Sequence, residues 1–315
     1  MKNNLAPVCL FTYNRLEETK QTIEALQNNF LATDSKLFIF SDGPKNEESM
    51  NKVEVVRNYI HSITGFKNVH VLESEKNKGL ANSIIEGVTK IIDEYGCAIV
   101  LEDDLITSPN FLDFMNKGLQ FYDDDDRIQS INGFSLDLGN YSDRYDTFSH
   151  MRTYSWGWAT WGNRWSTHIF SKKAIKNMIT PELLRDFNVK CGSNMTQMLM
   201  RSLTNSNDSW YASWAFYHFI ANKHSIYPYL SKIENIGYGE NATHCSTINV
   251  LKSNFDYVES RYFKFKIELD DSKQLAENFL KYFTLKYKIL FRINLIFKKG
   301  GIKLLVADLK GKLIN

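Results

Sequence analysis

The first 135 residues alternate between short apolar runs and longer stretches with helical spacing. The apolar runs are 6–12, 37–40, 69–72 and 97–101, and the helical stretches are 16–28, 53–63 and 80–95. Strands that alternate with helices of this length are typical of βαβ units, in which crossover helices join parallel strands. The pattern therefore predicts an α/β domain with a mostly parallel central sheet flanked by helices. It does not by itself distinguish one doubly wound fold from another.

Polar residues follow each of the four predicted strands. They are Asn14-Arg15, Asp42-Gly43, Asn77-Lys78-Gly79 and Glu102-Asp103-Asp104. The carboxyl ends of parallel strands meet at one edge of a sheet, and ligands of open α/β sheets bind in the crevice at that edge. We therefore expect these four segments to line a single crevice.

The acidic tripeptide Glu102-Asp103-Asp104 carries the clearest chemical signal. Three adjacent carboxylates at the end of a buried strand are costly unless a cation compensates their charge. Hard divalent cations that also bind phosphate oxygens suit such a cluster. The alternative is an acidic turn between the strand and a following helix, with Ser108 as the helix cap.

Composition limits the class of protein. A chain of 315 residues that is 43% hydrophobic can bury a sizeable core, and a net charge of +2 gives no reason to expect a nucleic-acid partner. The four cysteines lack paired metal spacing, which predicts reduced thiols in a cytoplasmic protein. The N-terminus leads directly into the first strand and leaves no room for a signal peptide, and no uncharged apolar stretch is long enough to span a bilayer.

The amino-acid composition of the chain changes after residue 135. All six tryptophans lie between Trp156 and Trp214, and there is no internal repeat or low-complexity linker. We therefore expect two halves of one compact body, 1–135 and 136–250, and a basic extension over 251–315. Indole rings stack on sugar faces, but most of these rings are expected in the core.

Several short motifs, in their order along residues 5–250, resemble those of GT-A-fold glycosyltransferases. The similarity is to bacterial family-2-like enzymes and to the related N-acetylglucosaminyltransferase I group. The motifs are 7–15, 41–43, 77–81, 101–105, 156–161, 208–210 and 237–245. The resemblance implies a GT-A fold and a nucleotide-diphospho-sugar donor. It also implies that the half 1–135 binds the nucleotide sugar and the half 136–250 binds the acceptor.

By that resemblance, Arg15 contacts the donor diphosphate or its nucleotide, and Asp42 binds the uracil edge. The other residues of the strand-end turns that approach the nucleotide are Thr12, Asn14, Asn77 and Lys78. An alternative for Asp42 is a role as turn former before Gly43.

The resemblance also implies a metal site for Mn²⁺ or Mg²⁺. Asp104 is the direct ligand, and Glu102 and Asp103 hold the ribose, the sugar and the metal-bound waters. His244 lies in a glycine-rich polar loop and is a second candidate ligand, since neutral imidazole binds metals. A histidine on a surface loop without a ligand role remains the alternative.

Asp208 resembles the general base of inverting transferases. Inversion by direct displacement needs one carboxylate that takes the proton of the acceptor hydroxyl as the anomeric carbon is attacked. Asp208 could also be the N-cap of a helix predicted over 210–220, and the two roles are compatible.

The C-terminal tail is basic and apolar. From residue 281 onward it contains nine Lys or Arg and one acid, Asp308. Residues 282–297 predict an amphipathic helix on an anionic membrane, where each cation contributes about 1 kcal/mol. Such a helix would bring the enzyme to a lipid-linked acceptor. The alternative is a helix docked on the domain with its lysines in water.

Together these features predict a cytoplasmic, metal-dependent, inverting glycosyltransferase, peripheral on the inner membrane. It would use a UDP-sugar and a glycan acceptor in bacterial surface polysaccharide synthesis, such as O-antigen or capsule. One alternative is a sugar nucleotidyltransferase, although residues 7–15 lack the glycine-rich triphosphate loop of that class. Another is a non-catalytic glycan-binding protein on a transferase-like fold.

Overall fold

A computed structural model describes residues 5–139, 144–204, 209–238, 248–258, 260–270, 272–298 and 300–314, without the side chains of 307 and 309–314. The strands are β1 Val8–Thr12, β2 Lys36–Ser41, β3 Asn68–Glu73, β4 Cys97–Glu102, β5 Leu105–Thr107, β6 Ile128–Asn132, β7 Thr147–His150, β8 Trp158–Trp161, β9 His224–Pro228 and β10 Ile233–Asn235. Eight of them form one sheet in the order β3-β2-β1-β4-β8-β6-β9-β7.

Helices cover both faces of this sheet. They are α1 Leu16–Gln27, α2 Glu47–Ile60, α3 Leu80–Tyr95, α4 Phe111–Phe121, α5 Lys172–Met178, α6 Pro181–Cys191, α7 Met195–Leu203, α8 Trp210–Ile220, α9 Lys273–Leu280, α10 Leu285–Ile296 and α11 Gly301–Ile314. Helices α1, α2, α4 and α9 pack on one face, and α3, α6, α7 and α8 pack on the other.

The first half of the sheet is parallel, as the sequence predicts. β1 pairs in parallel with β2 on one side and with β4 on the other, and β2 pairs in parallel with β3. β1 is buried along its whole length and β4 up to Leu101, which explains why both appear as continuous apolar runs rather than alternating ones. The predicted α/β class with a mostly parallel sheet and a helical C-terminal extension is confirmed.

The second half of the sheet contains antiparallel pairs. β8 runs antiparallel to both β4 and β6, so β6 has the same direction as β4. β9 is parallel to β6, and β7 closes the sheet as an antiparallel edge. The carboxyl ends of β1, β4 and β6 therefore lie at one edge of the sheet.

The segment after the acidic tripeptide differs from the predicted turn into a helix. Leu105–Thr107 forms β5, which pairs antiparallel with β10, and α4 begins only at Phe111. Asn110, not Ser108, occupies the N-cap position of this helix, and the Ser108 hydroxyl donates to the side chain of Asn110 (2.8 Å). The partner strand β10 is distant in the sequence, so no local pattern could have indicated the pairing.

The C-terminal extension begins as part of the domain. The backbone of Ser231 exchanges hydrogen bonds with Asn254 and Asp256, and Arg261 donates to Asp113 Oδ1 at 3.0 and 2.9 Å. Residues at the end of α9 and just after it then enter the core. They are Phe279, Tyr282 and Phe283, which are 0, 3 and 5% exposed.

The last two helices behave differently. α10 and α11 pack on each other and expose many of their apolar side chains. No helix in the described part of the chain is both long and apolar enough to cross a membrane.

Substitution of two phenylalanines tests whether α9 belongs to the core while the end of α10 does not. Phe279→Ala should lower the free energy of unfolding by about 3–5 kcal/mol, because it removes a fully buried ring from the core. Phe297→Ala, at a residue that is 83% exposed, should change it by less than about 0.5 kcal/mol. Urea denaturation of both variants measures the difference. Equal effects would mean that α9 is not part of the core.

Candidate active site

Arg15 contacts two members of the acidic tripeptide where β1 and β4 end side by side. Its Nη2 donates to Asp104 Oδ2 at 3.0 Å and also to Asp103 Oδ1. The side chains of Asp103 and Asp104 are only 6 and 12% exposed. Because one nitrogen reaches an oxygen of each aspartate, the two carboxylates converge on a single point.

Helix α1 holds this cluster in place through Thr22. The buried Thr22 hydroxyl donates to the backbone oxygen of Asp103 (2.9 Å) and accepts from the N–H of Leu105 (3.1 Å). Arg15 occupies the N-cap position of the same helix, where its carbonyl accepts from the N–H of Thr19 (3.0 Å). Sequence reasoning missed Thr22, because a threonine within a helical stretch carries no local functional signal.

The acidic cluster holds more negative charge than Arg15 neutralises. Burial, together with the neighbouring Asp104 and Asp103, raises the pKa of Glu102 to about 8. Burial also raises the pKa of Asp103 to about 6, against the opposing effect of Arg15. A divalent cation would remove this excess charge, and the converging oxygens of Asp103 and Asp104 are the hard ligands that Mg²⁺ or Mn²⁺ prefers.

The described residues do not form a complete metal cage. Within them, no group of three or more His, Cys, Asp or Glu side chains is arranged to hold a metal ion. Two carboxylates with further sites open to water and substrate phosphates are the pattern that Mg²⁺ adopts in phosphate-handling enzymes. The cluster therefore fits a cation that a diphosphate would help to bind. His244, the other predicted ligand, lies outside the described residues.

Asp42 joins the end of β2 to the turn after β3. Its Oδ1 accepts from the N–H groups of Gly43 (2.8 Å) and Lys78 (2.9 Å). Its Oδ2 accepts from the Asn77 amide (3.1 Å) and the N–H of Gly79 (3.0 Å). This geometry favours the role of turn former. The contact between Asp42 and uracil stays a prediction, and it would have to compete with these four donors.

The other residues predicted to bind the sugar donor are Thr12, Asn14 and Lys78. Thr12 ends β1, and its buried hydroxyl has no hydrogen-bond partner among the described residues, which leaves it available to a ligand. Asn14 is partly exposed in the turn before α1. Lys78 contributes its backbone to Asp42, whereas its ammonium donates to Glu86 on α3 (2.7 Å).

Gly237 passes directly over Asp104. The preceding residue, Ile236, donates its N–H to the backbone oxygen of Asp104 (2.9 Å). A Cβ atom added to Gly237 would lie 2.0 Å from Asp104 Oδ2, so only glycine allows this approach. The sequence motif contained Gly237, but only the fold reveals its contact with Asp104. Residues 239–247, with Glu240 and His244, follow it and lie outside the described residues.

Most tryptophans pack in the core, as expected. The buried rings are Trp158, Trp161, Trp165, Trp210 and Trp214. Trp156 is only partly buried. Its ring lies edge to face with that of Tyr238, and the two ring centroids are 6.1 Å apart. The adjacent Gly157 lies next to Leu101, the residue before Glu102, since a Cβ atom added to Gly157 would be 3.4 Å from the Leu101 side chain. Trp156 is therefore the tryptophan positioned to contact a ligand near the acidic cluster.

Helix α8 is confirmed over the predicted residues 210–220. Ser209 occupies its N-cap position without a side-chain cap, and Asp208 lies outside the described residues. The ring of Trp210 packs against that of Trp158, tilted by 30° with centroids 5.2 Å apart, and Trp158 pairs with Val100 near the end of β4. The start of α8 is thus close to the edge of the sheet that carries the acidic cluster.

Comparisons with known proteins found one matching family and several similar structures. The model of glycosyl transferase family 2 matches residues 8–180, which is more than half of the chain. One similar structure is a mannosyltransferase from Pyrobaculum calidifontis in complex with GDP-Man and Mn²⁺, with 9% identity, coverage of 70% of this chain and 74% of that chain, and a TM-score of 0.37. Another, from Desulfovibrio desulfuricans G20, is described as a candidate nucleotide-diphospho-sugar transferase, with 10% identity, coverage of 53 and 68%, and a TM-score of 0.32. No curated protein matches the sequence.

The raised pKa of Glu102 predicts a pH-dependent gain in stability for Glu102→Gln. The folded-state pKa of about 8 exceeds the ordinary 4.5, so the stability contributed by the protonated form is complete below pH 4.5 and is lost as the pH rises to 8. Without divalent ions, the variant should therefore match wild type near pH 4.5 and exceed it by on the order of 1–3 kcal/mol at pH 8. Denaturant titrations at both pH values measure this, with the exposed Glu48→Gln as control. An equal difference at both pH values would contradict it.

Gly237→Ala should disturb Asp104 directly. The methyl group meets the carboxylate, so we expect a loss of about 1–3 kcal/mol in unfolding free energy and weaker binding of donor and metal. In an Asp104→Ala background the same methyl group meets no carboxylate, and most of its cost in stability should disappear. A double-mutant cycle by denaturation measures the coupling. Additive effects of the two substitutions would refute the contact.

Proposed function

Because the chain belongs to glycosyl transferase family 2, we propose that it transfers a sugar from a UDP-sugar to a glycan acceptor with inversion at the anomeric carbon. The transferred group would be a hexosyl or N-acetylhexosaminyl unit. The observation that carries the proposal is the contact of Arg15 with Asp103 and Asp104 at the ends of β1 and β4. This cluster combines a cation for phosphate with carboxylates for a metal, which is what a departing nucleoside diphosphate requires.

The donor diphosphate would bind against Arg15. As the bond between the sugar and the diphosphate breaks, negative charge develops on the phosphate oxygens, and the guanidinium stabilises it. Asp104 would be the direct ligand of Mn²⁺ or Mg²⁺, while Glu102 and Asp103 would hold the ribose, the sugar and the metal-bound waters. The ion would supply Lewis-acid stabilisation of the same charge. Thr12, with its unpartnered hydroxyl, and the turn held by Asp42 would contact the nucleotide.

Asp208 is the proposed general base. It precedes Ser209, the N-cap of α8, and this helix starts beside the edge of the sheet that carries the acidic cluster. Its carboxylate would take the proton of the acceptor hydroxyl while the oxygen attacks the anomeric carbon. We also propose that His244, seven residues after Gly237 in the sequence, contacts the metal or the diphosphate.

The acceptor would bind on the side of Trp156, whose partly exposed ring offers a flat apolar face to a sugar. We propose a glycan of a bacterial surface polysaccharide, such as an O-antigen or capsule repeat unit, attached to a lipid carrier. The enzyme would then work at the cytoplasmic face of the inner membrane.

Release of UDP from a panel of UDP-sugars, with and without acceptor, tests this function. We expect turnover with Mn²⁺ or Mg²⁺, loss of turnover in EDTA, and much weaker donor binding by Asp104→Ala. The control Glu48→Ala changes a carboxylate that is 84% exposed and should have no effect. Full activity in EDTA together with an unaffected Asp104→Ala would remove the acidic cluster from the mechanism.

In the same assay, Asp208→Asn tests whether Asp208 is the general base and not a residue of the donor site. The variant should fold and bind the donor with metal, while transfer falls by about 10²–10⁴ because the amide cannot accept the proton. Transfer near the wild-type rate would exclude Asp208 as the base and make Glu240 the next candidate. The anomeric configuration of the product, from coupling constants, tests inversion independently.

A further inference from the structure

Helices α10 and α11 expose an unusual amount of apolar surface for the end of a folded chain. On α10 and directly after it the exposed residues are Leu285, Ile289, Leu290, Ile293, Ile296 and Phe297, and on α11 they are Ile302, Leu304 and Val306. Leu285, Ile289, Ile293 and Phe297 recur every four residues, so they form one stripe along α10. Contiguous apolar surface of this kind marks a region that binds something.

The domain itself does not cover this stripe. The docked part of the extension ends at Phe283, whose ring lies 3.6 Å from the buried guanidinium of Arg152 and whose carbonyl accepts from Ser193 (2.8 Å). Tyr287, in the first turn of α10, still packs against Tyr282 at 4.8 Å. The docked-helix alternative thus holds for residues up to the first turn of α10.

The charge of the pair is positive. Residues 285–314 contain eight Lys or Arg and one acid, Asp308. Asp308 is 2% exposed, and its carboxylate accepts from Arg292 at 3.3 Å, so it offers no charge to a partner. Lys286 in the first turn of α10, Lys298 just after α10 and Lys303 on α11 are exposed.

We propose that the α10–α11 pair is a docking surface for an anionic lipid bilayer. The apolar stripe would enter the boundary between headgroups and acyl chains, while the lysines contact lipid phosphates. Charge decides against a second copy of the chain, because two such surfaces would bring like charges together. The inference goes beyond the proposed function, since it requires neither donor nor metal, and it gives that function a physical route to a lipid-linked acceptor.

Sedimentation of the full-length protein with vesicles tests the surface, without donor, acceptor or divalent ions. We expect binding to vesicles of phosphatidylcholine with phosphatidylglycerol, little binding to phosphatidylcholine alone, and release by salt. Leu285→Asn with Ile293→Asn, and separately Lys286→Glu with Lys298→Glu and Lys303→Glu, should each reduce the bound-to-free ratio by at least about tenfold. The matched controls are Val189→Asn, an apolar residue that is 72% exposed on α6, and Lys52→Glu on α2.

Unfolding transitions of all variants should match wild type, since the altered residues are exposed. Absence of binding to anionic vesicles, equal binding to both vesicle types, or full binding by the two multiple variants would overturn the proposal. So would a dimer in solution that the Leu285→Asn and Ile293→Asn substitutions dissociate while vesicles bind nothing. Release of UDP by the same variants in vesicle-free solution should equal wild type. Loss of UDP release in every protein, wild type included, would instead count against the transferase function alone.

Discussion

The site is organised around the contact of Arg15 with the carboxylates of Asp103 and Asp104. The contact exists because β1 and β4 are adjacent parallel strands, so the residues that follow them meet at one edge of the sheet. Thr22 holds the acidic turn from one side, and Gly237 passes over Asp104 from the other. Helix α1, the end of β4 and the segment at Gly237 thus meet at the acidic turn.

Three carboxylates beside one guanidinium are unfavourable for the stability of the folded protein. Burial raises the pKa of Glu102 to about 8, which means that its ionised form is disfavoured near neutral pH in the folded protein. Groups with strongly perturbed pKa values in a crevice are typical of functional sites. In a member of glycosyl transferase family 2, the excess negative charge is the feature that a divalent cation and its diphosphate would use.

The family match also decides between the functional classes that the sequence left open. It identifies a nucleotide-sugar glycosyltransferase with a GT-A-type fold, and it favours this class over a sugar nucleotidyltransferase or a non-catalytic glycan-binding protein. The C-terminal extension has a docked part and an exposed part. Its aromatic residues near position 280 complete the core, whereas the helices that follow expose apolar and basic side chains.

The sequence alone determined the features that depend on local periodicity. Burial of a strand on both faces requires a continuous apolar run, and burial of one helix face requires a repeat near 3.6 residues, so β1, β4, α3 and α8 were predicted almost to their ends. The polar strand ends followed from the same argument, and the predicted role of Asp208 rests on the motif alone. Tertiary structure decided what depends on partners distant in the chain, namely the pairing of β5 with β10, the hydrogen bonds of Thr22 and the turn held by Asp42. The approach of Gly237 to Asp104 belongs to the same group, because a close contact between distant segments leaves no periodic trace in either one.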